Sequence, residues 1–282
     1  VDVPRIWLIG ATTLAALMPW GWAISGQGVT FLPWLNVNQF ALFVNLGLSL
    51  AIMRLYKGSN APTWLWGCIL VMQAAVMLSE SRSSATLCLI TPILAAALLG
   101  FGPHWKKALI LFATGLVFLV AIQGAALGIL ADQTDLTSLQ VRLMVWSAAF
   151  QAFLERPILG AGIGNFVAAY APLRDASDPT SGLSAHNDML HMMVELGVIG
   201  AILVCGMAVL ALRTIWADKA LLLAFLVFGA QGLMTTLWPH PAILMMLAIL
   251  LAGLVHKESV APVHAGFQKT LWVGLMIWLG YT

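Results

Sequence analysis

Residues 188–212 read DMLHMMVELGVIGAILVCGMAVLAL, an apolar run whose ionisable side chains, Asp188, His191 and Glu195, all lie near its start. A helix rises 1.5 Å per residue, and the hydrocarbon core of a bilayer is about 30 Å thick, so a run of roughly 20 mostly apolar residues is long enough to cross. Similar runs occupy 5–25, 38–56, 62–80, 84–102, 107–131, 219–238 and 241–256, and a shorter one covers 268–282. Trp7, Trp20, Trp34, Trp64, Trp105, Trp216 and Trp238 sit near the ends of these runs, where amphipathic rings favour the headgroup layer. The chain is 61% hydrophobic and 9% charged, against about 25% charged in a soluble domain. These features predict an all-α, polytopic helical membrane protein of eight or nine spans.

The segment between the fifth and sixth runs differs, with acids, bases, prolines, glycines and serines. The expected organisation is one integral membrane domain: helices one to five over 1–131, a large periplasmic loop containing short helices over 132–187, and the remaining helices over 188–282. Alternating the spans puts Arg5, Arg54, Lys57, Lys106, Lys107, Arg213, Lys219, Lys257 and Lys269 on one side, nine of the thirteen basic residues. By the positive-inside rule that side is cytoplasmic. Arg82, Arg142, Arg156 and Arg174 fall on the opposite, periplasmic side. A net charge of +2, with basic residues scattered rather than striped, gives no footprint for nucleic acid. Cys68, Cys88 and Cys205 lie in apolar runs without CxxC spacing and read as packing residues. The start shows no cleavable signal pattern.

The chemistry-bearing residues gather on the basic-poor side. Arg82 stands in Ser79-Glu80-Ser81-Arg82-Ser83-Ser84 between two spans. It is either an anion site or the partner of Glu80 or a lipid headgroup, since a charge at this level is retained for a reason. Residues 139–150 read as an amphipathic helix with Arg142 near its start, ended by Glu155-Arg156-Pro157. The following Gly160-Ala161-Gly162-Ile163-Gly164 lacks the preceding strand and trailing Lys-Ser/Thr of a nucleotide loop. Its glycines allow a tight turn and close backbone approach. His186 opens the next span, followed by Asn187, Asp188, His191 and Glu195. His191 and Glu195 are spaced to pair on one helix face. His186 and His191, five apart, diverge by roughly 140° on a regular helix and are poorly placed for one metal. No metal or other cofactor is expected. Two arginines suit phosphate oxygens, and a neutral imidazole suits proton abstraction. With His240 and several carboxylates on the same face, the set fits group transfer from a phosphate-linked donor. A transporter or flippase of a lipid-linked anion is the rival of another class, but it calls for polar residues at mid-span, where these runs are nearly free of charge.

His186-Asn187, followed after nine residues by Gly197 and then by Gly200, resembles the histidine signature of the O-antigen ligase family, which belongs with O-antigen polymerases and protein O-oligosaccharyltransferases. Asn38-Gln39-Phe40-Ala41, Ser81-Arg82-Ser83 and Arg142…Trp146…Pro157-Ile158-Leu159-Gly160-Ala161-Gly162 agree in order, so the similarity covers roughly 36–212. The resemblance implies a metal-independent, inverting glycosyltransferase of the bacterial inner membrane, acting in lipopolysaccharide biosynthesis with its site facing the periplasm. The donor would be a glycan on undecaprenyl pyrophosphate. The acceptor would be a hydroxyl of lipid A–core or, in relatives, of another glycan or a protein serine. Carried over by motif, Arg82 and Arg142 would bind the pyrophosphate and His186 would activate the acceptor, with Asn187, Asp188, His191 and Glu195 in support. Family members commonly have more spans than the eight or nine expected here.

Overall fold

The structure is a computed structural model that describes residues 10–13, 15–16, 37–58, 61–79, 81–123, 138–237, 240 and 248. The expected spans 5–25, 241–256 and 268–282, and the boundary between 131 and 132, fall largely or wholly outside these residues. Within them the chain is helical, without a strand. In order come α1 (Val37–Lys57), α2 (Thr63–Leu78), α3 (Arg82–Leu99), α4 (Phe101–Phe118, continued by a π turn over Leu119–Gln123), α5 (Ser138–Glu155), α6 (Phe166–Tyr170, then a 3-10 turn over Ala171–Leu173), α7 (Asp188–Ile215) and α8 (Lys219–Gly232). Among the described residues, four helices are long and apolar enough to cross a membrane: Val37–Lys57, Arg82–Leu99, Phe101–Ile122 and Asp188–Ile215. The chain is an all-α polytopic membrane protein.

Two packed bodies make up the fold. In the first, α1 is buried on nearly all sides by α2, α3 and α8, with α4 outside α2 and α3. Its core includes Leu46, Ile52, Leu65, Ile69, Cys88, Leu111 and Leu223. Amides stitch this bundle where water is absent and a lost hydrogen bond is costly. Gln73 Nε2 donates to the Leu111 carbonyl at 2.8 Å, and Thr114 Oγ1 donates to Gln73 Oε1 at 3.0 Å, joining α2 to α4. The second body packs Val145, Ala149 and Phe153 of α5 against Phe166, Tyr170, Ala185 and Val194.

The basic residues mark one end of the bundle. Arg54 lies over the Trp64 ring, Tyr56 stacks on His104 at 5.1 Å, and Lys107 Nζ donates to the Leu55 carbonyl at 2.9 Å. These contacts explain why α4 starts at Phe101, six residues before the expected run. Gly100, at φ 94°, ends α3 in a single residue, Pro103 fits the first turn of a helix, and the polar residues that read as a loop reach into the bundle.

The α7 helix is broken. Gly197 has φ 65° and ψ −167°, a region essentially reserved for glycine. The turn after α5 docks into the break through backbone alone. Ala161 N–H donates to the Val194 carbonyl and Gly162 N–H to that of Glu195, both at 2.8 Å, while Val198 N–H donates to Pro157 at 2.8 Å and Ile199 N–H to Ile158 at 3.4 Å. A Cβ at Gly197 would overlap the Ile158 carbonyl, and one at Gly160 would overlap the Glu195 carbonyl. The paired glycines of the two motifs therefore exist for each other. The first two turns of α7 belong to the second body, and the rest crosses the membrane.

Candidate functional site

The site forms where the two bodies meet, at the end opposite Arg54 and Lys107. Arg82 is the first residue of α3 and exposed. Its helix start is fixed by Ser81, whose hydroxyl lies 2.6 Å from Asn38 Oδ1 and accepts from Ser84 N–H at 3.4 Å. Asn45 Nδ2 donates to the Ser84 carbonyl at 2.9 Å, and Gln231 Nε2 of α8 donates to Ser83 Oγ at 3.1 Å. The motif Ser81-Arg82-Ser83 thus holds the arginine against α1 and α8. Glu80, its sequence-based ion-pair candidate, lies outside the described residues.

Arg142 projects from α5 close enough to Arg82 for the two charges to interact. Burial, and then the Arg82 cation, lower its pKa from the ordinary arginine value, and an arginine still keeps its charge at neutral pH. No carboxylate among the described residues forms an ion pair with either guanidinium.

One turn after Arg142, on the same face of α5, Trp146 Nε1 donates to the Ala185 carbonyl at 3.0 Å. That bond brings the peptide before His186 to the arginine. From the other side, Ala185 N–H donates to His191 Nδ1 at 3.5 Å. His186 itself stands at φ 51°, the one positive-φ non-glycine residue among those described, and a strained backbone of this kind is common at functional sites. It does not open the helix, as the sequence reading had it. Asn187 is the N-cap, its Oδ1 accepting from Leu190 N–H at 3.1 Å, and α7 begins at Asp188. The exception arises because the cap must be extended, which leaves His186 in the turn before it. The imidazole is partly buried. Burial first, then the Arg142 cation, lower its pKa below the ordinary histidine value, partly opposed by Asp178. His186 therefore stays neutral at pH 7.

The supporting residues hold the frame. Asp188 Oδ1 accepts from Leu237 N–H at 2.7 Å, so α7 is tied to the segment after α8, the helix that also holds Ser83. His191 is buried, stacked on Phe166 at 4.3 Å, with Nε2 3.3 Å from Glu195 Oε1. Glu195 Oε1 also accepts from Phe166 N–H at 3.2 Å. Both nitrogens of His191 and its carboxylate partner are thus occupied inside the second body, so this pair positions the loop and does not face Arg142. His240 lies beyond α8, where burial lowers its pKa.

The sequence reading missed one hub. Asp178 is buried and accepts from Tyr170 Oη (2.9 Å), Arg174 Nε (2.9 Å), Thr180 N–H (2.8 Å) and Thr180 Oγ1 (3.0 Å). Arg174 also bonds the carbonyls of Asp178 and Thr180. Burial raises the pKa of the Asp178 carboxyl, but these hydrogen bonds outweigh it and hold the group below its ordinary value. Burial and the bond to Asp178 push the Tyr170 phenol up. The i, i+4 spacing of Arg174 and Asp178 was the available signal. No group of three His, Cys, Asp or Glu side chains with metal-binding arrangement occurs among the described residues.

Fold and site together define a polytopic helical membrane protein with a cationic, histidine-bearing site at one end of its bundle. Residues 67–205, which contain Arg82, Arg142 and His186, match the family model described as O-Antigen ligase. Over these residues, just under half of the chain, the protein is similar to the O-antigen ligase family. The match supports, at the level of the family, a glycosyltransferase of ligase or polymerase type, a class that uses a lipid-linked glycan donor and a glycan or protein acceptor. Comparison with curated proteins gives no match.

Proposed function

We propose that this protein is the ligase of its family: it moves a glycan from undecaprenyl pyrophosphate to a hydroxyl of lipid A–core, on the periplasmic side of the inner membrane. The observation that carries the reading is the electrostatic chain Arg82–Arg142–His186, two cations without a carboxylate partner among the described residues and a neutral imidazole beside them.

Two guanidinium forks bind the pyrophosphate oxygens and offset the charge that grows as the leaving group departs. His186 accepts the acceptor's hydroxyl proton, the hydroxyl oxygen bonds the anomeric carbon, and the bond from that carbon to the phosphate oxygen breaks. The electron pair leaves on undecaprenyl pyrophosphate, and one displacement inverts the configuration. Arg142 serves both ends of the reaction, because the charge that binds phosphate also adds to burial in lowering the pKa of its neighbour His186.

The test is transfer by the purified protein in liposomes, with the lipid-linked glycan as donor and lipid A–core, a second lipid-linked glycan or a serine peptide as separate acceptors. Product on lipid A–core is expected. Product on the second glycan alone makes the protein a polymerase, product on the peptide alone makes it a protein glycosyltransferase, and no product with any acceptor overturns the proposal.

A further inference from the structure

The crossing part of α7 lies at the lower end of the range for a membrane span. Between the break at Gly197 and Arg213 lie residues 198–212, about 22 Å of helix against a hydrocarbon core about 30 Å thick. Letting Arg213 snorkel and counting to Ile215 adds only about 4.5 Å. What stands at the short end is the docked turn, and its side chains are apolar and bare: Ile158 is 62% exposed, Leu159 72% and Ile163 72%. They adjoin the lipid-facing surface of α7, since Ile199, whose N–H bonds Ile158, is exposed, as is Ile202 one turn on.

Much of the backbone of the turn is satisfied within the protein, which lowers the cost of placing irregular structure against hydrocarbon. Gly160 N–H bonds the Arg156 carbonyl at 2.9 Å, and Ala161 and Gly162 donate into α7. The carbonyls of Pro157 and Ile158 accept from α7, that of Gly162 from Asn165 N–H, and that of Ala161 from Asn165 Nδ2.

We propose that the turn 157–163 is immersed in the acyl region of the leaflet on the site's side, where Ile158, Leu159 and Ile163 complete the apolar height that α7 lacks. The partner is bilayer lipid. The exposed charges of Glu155 and Arg156, at the end of α5, then lie at headgroup level, and α5 carries Arg142 along the surface from which a lipid-linked phosphate would be taken. The proposal rests on the membrane fold and not on the catalytic reading.

The test places a nitroxide on Leu159→Cys or Ile163→Cys, in a protein whose three native cysteines are alanine, reconstituted in phosphatidylglycerol–phosphatidylethanolamine vesicles. Collision rates with oxygen and with a water-soluble nickel chelate are compared with those at Ile202→Cys on α7 and Ser177→Cys in the polar loop. Oxygen preference matching Ile202→Cys is expected, and nickel accessibility matching Ser177→Cys overturns the proposal. The unaltered protein supplies a second measurement, in the same vesicles loaded with a bilayer-partitioned diazirine. Adducts within 157–163 are expected, and their absence from a protein labelled over 199–207 overturns the proposal without reliance on any variant.

Discussion

Gly197→Ala is the sharpest perturbation of this architecture. The conformation at φ 65°, ψ −167° costs a residue with a side chain about 1–3 kcal/mol. The new Cβ would also overlap the Ile158 carbonyl, so the turn must withdraw. At the least, the two bonds flanking the clash are lost, Val198 N–H to Pro157 and Ile199 N–H to Ile158, each worth about 0.5–1.5 kcal/mol. The sum is about 2–6 kcal/mol, against about 5–15 kcal/mol for the stability of a whole domain. Hydrogen exchange in nanodiscs reads the effect directly. At about 1.4 kcal/mol per tenfold, protection of the Val198 and Ala161 amides should fall at least about 30-fold, while amides of α1 keep theirs. Gly206→Ala is the control: its Cβ meets nothing within 4 Å, and it should be neutral or stabilise by up to about 1 kcal/mol. Parent-level protection at Val198 and Ala161 in Gly197→Ala would refute the claim that the glycine is there to admit the turn.

His186→Ala should slow transfer by roughly 10²–10⁴, the usual worth of a general base, with donor binding nearly intact; an alanine variant as fast as the parent reduces His186 to a turn residue. By NMR titration, the His186 imidazole should protonate below the ordinary value near 6.5, so transfer is lost only as pH falls through that depressed value. Arg142→Gln removes a cation that opposes protonation and should move the titration upward, whereas Arg142→Lys should leave it in place; the opposite shift would show that Arg142 does not act on the imidazole. Turnover separates the same two side chains differently: Arg82→Lys and Arg142→Lys should each lose at least about tenfold, because lysine lacks the bidentate fork and a charge-assisted bond is worth about 1.5–3 kcal/mol. Near-parent turnover in both would leave the arginines as surface charges, worth about 0–1 kcal/mol. Finally, transfer should persist in EDTA, and loss that magnesium or manganese restores would count against stabilisation by arginine alone.

Apolar length made the spans legible, because a helix in lipid must satisfy its own backbone and so announces itself as an uninterrupted run. Boundaries were less so. Lys106 and Lys107 read as loop charges, yet Lys107 bonds the end of α1 from within α4, a pairing visible only once two helices lie side by side. Arg82 and Arg142 stood out because cations are scarce on their side of the membrane, and His186 because it heads a polar cluster. The break in α7 did not stand out: Gly197 and Gly200 in an apolar run look like ordinary membrane-helix glycines, which are frequent there. The meaning of Gly197 depends on a turn almost forty residues earlier. Asp178 was missed although its partners are local, since only the i, i+4 spacing of Arg174 hinted that Tyr170, Arg174 and Thr180 close around it. Gln231 was within reach, as an amide inside the run 219–238.

The seam between the turn and α7 is made of peptide groups, which, proline's missing N–H aside, are the same in every residue. Pro157, Ile158, Ala161, Val194 and Glu195 all contribute carbonyls or N–H groups to it, none a side chain. Inheritance can therefore exchange the outward side chains at 158, 159 and 163 for other apolar ones without touching the joint, provided Gly160 and Gly197 stay. Chimeras that exchange only these outward residues between family members should assemble as the parent does, which leaves the rim of the site open to drift while the hinge beneath it is held.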